Sequence, residues 1–143
     1  MSIKRTVFLV GAIICAALPF HAQAETIVKV DGLKITNNTN EDSTSKINGG
    51  SCSSSVLGES GITRAHSTNE VSNAKIRVAC VANRENCRAD VYMTTVCEKS
   101  GQPRVATVIL NVNTGIKDVQ MNTDIDNPYV ITYSGFSATI SPK

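Results

Sequence analysis

The chain of 143 residues carries 14 Lys and Arg against 12 Asp and Glu, a formal charge of +2. Two of the basic residues, Lys4 and Arg5, lie in a stretch that reads as an export signal (1–24), so the remaining segment, 25–143, is electrically balanced and is about one domain long. That balance excludes a nucleic-acid binder, whose affinity rests on neutralising phosphates, and a polybasic membrane anchor.

In chain order, Lys4 and Arg5 supply the positive start of the signal and residues 7–18 its apolar centre. Ala22-Gln23-Ala24 supplies the small-x-small pattern that places cleavage between Ala24 and Glu25. The apolar stretch is shorter than the ~20 residues that span a bilayer, and Pro19 interrupts its end. Ile13 and Ile14 precede Cys15 where a lipidation site requires small residues, so Cys15 is expected to leave with the signal. The expected product is exported, periplasmic or secreted to the extracellular side, with no stable membrane insertion after cleavage.

Strand signals dominate residues 25–143. Residues 25–36 hold Ile27, Val28, Val30, Leu33 and Ile35, broken by the turn pair Asp31-Gly32. Residues 37–61 form a long polar segment in which 17 of 25 residues are Ser, Thr, Asn or Gly, a composition that buries little apolar surface. It reads as an irregular loop within the fold, with Lys46-Ile47 and Val56-Leu57 as short edge strands. Alternation predicts strands at 75–81 and 88–97, joined by a polar turn at 82–87. Residues 104–112 place Ala106, Val108, Leu110 and Val112 on one face, and Asn113-Thr114-Gly115 turns the chain into 116–121. Residues 129–133 and 136–140 pair around Ser134-Gly135. No window shows a helical stripe. The pattern predicts an all-β fold: an antiparallel β-sandwich (or small barrel) of about 7–9 short strands, stapled by disulfides.

Four cysteines lie beyond the signal: Cys52, Cys80, Cys87 and Cys97. An even count in a small exported chain points to two disulfides, and no Cys-x2-Cys spacing suggests zinc. A hairpin between 75–81 and 88–97 would bring Cys80 to Cys87 and leave Cys52 for Cys97, the preferred of three pairings.

Candidate chemistry is sparse. His66 is the one histidine after the signal and would be the base of any Ser-His-Asp arrangement. Gly58-Glu59-Ser60-Gly61 lacks the Gly-x-Ser-x-Gly spacing of a nucleophile elbow, so no catalytic residue is assigned. Asn122, Asp124 and Asp126 place oxygens at alternate positions, a weak calcium candidate that lacks the glycine and glutamate of the helix-loop-helix calcium loop. Tyr129 and Tyr133 share a strand face and could line a small site. The twelve acidic residues say nothing about the carboxylate spacing that glycoside hydrolysis requires. No cofactor is expected. These features point to a non-enzymatic exported β-sandwich that binds a protein or glycan partner at the cell envelope or outside the cell. The alternatives are a structural envelope or fimbria-like subunit and a small secreted hydrolase.

Overall fold

The computed structural model describes residues 32–143. The expected signal, its cleavage point at Ala24 and Glu25, and the apolar residues 27–30 lie outside the described residues. The described chain forms eight strands: β1 Gly32–Asn37, β2 Thr44–Ile47, β3 Ser67–Ser72, β4 Cys87–Tyr92, β5 Arg104–Asn111, β6 Gly115–Met121, β7 Tyr129–Ser134 and β8 Ser137–Pro142. Two short helices, α1 Ser53–Leu57 and α2 Asn73–Ala79, and a 3-10 turn at Gly58–Gly61 complete it. The strands make two four-stranded sheets, ordered β3-β1-β8-β7 and β2-β4-β5-β6. All pairs are antiparallel except β1 with β8, which run parallel from Lys34 opposite Ser137 to Asn37 opposite Ile140. The expected sandwich therefore holds, with one non-local parallel pair at the middle of its first sheet.

Alternation along the later strands explains the core. Ala138 and Ile140 of β8, Ile131 of β7, Ala106 and Leu110 of β5 and Ile116 of β6 are buried. They meet Val71 and Val91 in one cluster between the sheets. The β5–β6 turn is closed by Asn111, whose Oδ1 accepts from the N–H groups of Asn113 and Thr114. Gly115 then adopts φ +105°, and a Cβ there would stand 2.6 Å from the carbonyl oxygen of Gly135. That close approach lets the Ile116 N–H donate to Gly135 O at 2.8 Å, which joins the two sheets along the β6–β7 side.

Two expected strands are corrected. Residues 75–81 are not a strand: α2 occupies this stretch, capped by Ser72, whose side chain accepts from the Lys75 N–H. Ile76 and Cys80 are buried and Ala79 half-buried, an i, i+3, i+4 set, whereas Val78 is 67% exposed. Alternation would have put Ile76, Val78 and Cys80 on one face, and the exposure of Val78 decides for the helical period. The strand expected at 88–97 stops at Tyr92, after a register shift between Val91 and Tyr92. Beyond it, Met93 and Thr94 remain buried outside the ladder, and Thr94 O accepts from Thr44 Oγ1 at 2.8 Å. Gly32 begins β1 opposite Ser72, and Asp31 of the expected turn pair lies outside the described residues.

The polar segment 37–61 is also more regular than its composition suggests. Lys46 and Ile47 lie in β2, an edge strand, but Val56 and Leu57 lie in α1. Side chains supply the backbone partners that burial would otherwise remove. Ser53 Oγ accepts from Ser45 N–H and donates to Gly61 O, and Ser60 Oγ donates to Leu57 O. Disulfides join Cys52 to Cys97 and Cys80 to Cys87. The second bond links the C-terminal end of α2 to the first residue of β4, not two strands of a hairpin.

The α1, 3-10 and α2 segments pack against β1, β2 and β3, on the side of the sandwich away from the β6–β7 junction. Between these helices and the sheets lies a cavity of about 110 Å³.

Candidate recognition surface

At the end of β1 the chain enters residues 38–43, which fold against residues 62–67 through a bridge between Ser43 and Thr63. Asn37 organises this region from below. It is 1% exposed. Its Nδ2 donates to the carbonyls of Glu41 (2.7 Å) and Thr63 (3.3 Å). Its Oδ1 accepts from the N–H and the hydroxyl of Thr39. A short amide side chain can form such loop-closing bonds because it reproduces the backbone's own donor and acceptor.

Above this buried support stand exposed polar side chains. Arg64 reaches Asp42 Oδ2 and Glu59 Oε2, each at 2.8 Å. The Asp42 carboxyl sits below its ordinary range, chiefly because the Ala65 N–H donates to it and secondly because of the Arg64 guanidinium. His66 occupies φ +54°. Its N–H donates to Thr39 O, and its ring Nε2 lies 2.7 Å from Asn40 Oδ1. The ring is therefore engaged with an amide, where a triad requires a carboxylate and a serine.

Tyr129 joins the same cluster from β7: its hydroxyl donates to the Glu41 carboxylate. Burial first, and then this bond, push its phenol up to about 12. The neutral form is thus favoured by folding, so its contribution is intact below pH ~10 and is lost as the pH rises towards 12. Tyr129→Phe is expected to show a shallower fall in urea midpoint between pH 9.5 and 11.5 than the parent; equal slopes would contradict the linkage. Tyr133, four residues along the strand and so ~13 Å away, donates instead to Lys117 O. The two tyrosines do not line one site.

The calcium candidate forms a turn. Asn122 Oδ1 accepts from the Asp124 N–H, and Asn122 Nδ2 donates to Arg104 O. Asp124 and Asp126 are exposed. Among the described residues, no three His, Cys, Asp or Glu side chains gather as metal ligands would. A second charged group lies on β4 and β5, where Asp90 accepts from Thr107 Oγ1 at 2.6 Å and Arg88 Nε at 3.1 Å. Asp90 and Thr107 are cross-strand partners, which makes this a sheet-stabilising pair.

The cysteines, His66 and the polar segment are visible in the sequence as features. The Asp42–Arg64–Glu59 group is not. Its signal is the placement of both acids in stretches that the Ser43–Thr63 bridge draws together, which no local pattern reveals.

The crystal structure of the Legionella pneumophila type II secretion system substrate NttC shares this architecture, with a TM-score of 0.61 and 24% sequence identity. The match covers 79% of this chain and 98% of that one, and at this identity it speaks for the fold. No curated protein gives a significant match. Among the described residues, no helix is long and apolar enough to cross a membrane. The family described as the T2SS substrate NttC matches residues 6–142, nearly the whole chain, so this protein belongs to that family and is exported and secreted.

Proposed function

We propose that this secreted sandwich is a non-enzymatic binding protein that recognises a protein or glycan through the polar surface of residues 38–42 and 64–66. Its signal, 1–24, is removed between Ala24 and Glu25. The supporting observation is that exposed Asn38, Asn40, Arg64 and His66 stand on a buried scaffold built by Asn37 and Thr39. Polar groups held before contact lose less conformational entropy on binding, which favours recognition by a fixed surface. The engagement of the His66 ring with Asn40 suits a contact residue better than a general base.

The test begins with mature protein from the culture medium, whose intact mass is expected to start at Glu25 and to lie four hydrogens below the reduced chain. This protein and its Asn40→Ala/Arg64→Ala variant are compared on a glycan panel and on intact bacterial and eukaryotic cells. At least tenfold weaker binding by the variant, at an unchanged melting temperature, is the expected result. Equal binding of the two proteins to every surface that either recognises, or no binding by either, would remove the proposal.

A further inference from the structure

The centre of a sandwich is where burial should be most complete, because both faces of the interior are covered there. Here, beneath the helices, several inward residues are only partly buried. In the second sheet, Ile47 of β2, Ala89 of β4 and Val108 of β5 stand in one cross-strand row. All three belong to the inward side and all are only partly buried. Leu33 and Ile35 of β1, a central strand of the first sheet, are also partly buried. Val71, the strand partner of Leu33, is buried, so the gap is local and does not reflect a generally loose interior. These side chains face the cavity of about 110 Å³. The smallest member of the row, Ala89, leaves room that a larger residue would fill.

The lining defines what would enter. Among the described residues around the cavity there is no Asp, Glu, Lys or Arg. Two of the lining hydroxyls are committed: Ser53 bonds Ser45 and Gly61, and Ser60 bonds Leu57 while accepting from Lys75 Nζ. Most of the surface that faces the cavity is apolar, which favours an apolar occupant over an ordered water, since such a water needs two to four polar partners. An engineered apolar cavity of roughly 150 Å³ in another protein stays dry and takes up benzene. The present cavity is somewhat smaller and is mainly apolar, with Ser, Thr and Asn side chains in part of its lining.

We infer that this cavity is a binding site for a small, uncharged apolar molecule about the size of a single six-membered ring. The site uses none of the exposed residues of the polar surface at 38–42 and 64–66, although Ser43 and Thr63 beneath that surface border it.

Benzene is the probe, with benzoate as the same ring carrying a charge. Benzene at ten times its Kd is expected to raise the melting temperature of the mature protein by about 5 °C. It should also shift the NMR methyl signals of Leu33, Ile35 and Val108. Benzoate should do neither. Ala89→Ile, which fills the space, is expected to abolish the benzene shift in a folded protein. If that variant does not fold, Ala89→Val is expected to reduce the shift at least twofold. No response of the parent to benzene, an equal response to benzoate, or an undiminished response in the folded Ala89 variant would each overturn the assignment.

Discussion

Replacing Cys52 and Cys97 together by serine is expected to lower the melting temperature by roughly 15 °C, an effect larger than that of any single surface substitution. The bond spans 45 residues in sequence, whereas Cys80–Cys87 spans 7. Constraining the unfolded chain over the longer loop is worth about 4 kcal/mol, and over the shorter about 2 kcal/mol. The longer bond also fastens structure that has little apolar surface of its own. Cys52 caps the start of α1, and Cys97 ends a segment that has left the β4 ladder. Scanning calorimetry of the two double variants should therefore rank them, with Cys80→Ser/Cys87→Ser losing about half as much. Equal losses, or no loss from the Cys52 and Cys97 pair, would mean that the loop-length account does not hold for this fold.

Asn37→Ala should cost about 3–4 kcal/mol, read from the urea midpoint at neutral pH. The substitution removes four hydrogen bonds from a buried site and leaves the N–H of Thr39 without its partner, while the carbonyls of Glu41 and Thr63 keep Thr39 Oγ1 and the Ser43 N–H as donors. Each lost bond is worth about 0.5–1.5 kcal/mol, and the stranded N–H adds about 1–3 kcal/mol before relaxation. Because the exposed side chains of residues 38–42 rest on this bond set, the same variant should bind any partner of that surface more weakly. A loss below about 1 kcal/mol would show that the turn holds its shape without the amide.

The contrast between these two sites shows which parts of the molecule are legible in its residues. In β8 inward and outward residues alternate, and the β5–β6 and β7–β8 turns carry Asn113-Thr114-Gly115 and Ser134-Gly135 where the chain reverses, so these hairpins can be read directly. Residues 73–79 cannot, because Ile76, Ala79 and Cys80 satisfy a helical stripe and Ile76, Val78 and Cys80 satisfy a strand. Only the sandwich around them decides which face is wet. Asn37 is obscured for a different reason. A run of Asn, Ser and Thr ordinarily marks solvated chain, but here those side chains stand in for the backbone partners that a sheet would have provided. The parallel pairing of β1 with β8 leaves no local trace at all, since neither strand's alternation names its neighbour. The polar surface and the cavity share that property: each is made by stretches that topology brings together.

The β1–β8 pair also imposes a timetable. A chain released from its starting end first presents β1 with β3 as its available sheet neighbour, because β8 follows every other described strand. β7 is in the same position, since β8 is its partner too. Until residues 137–142 have emerged, the first sheet is two unconnected fragments and the interior has no second wall. Both cysteine pairs, by contrast, are available well before that moment. The cross-links therefore lie in the part of the chain that precedes β8, whereas closure of the first sheet waits for that strand.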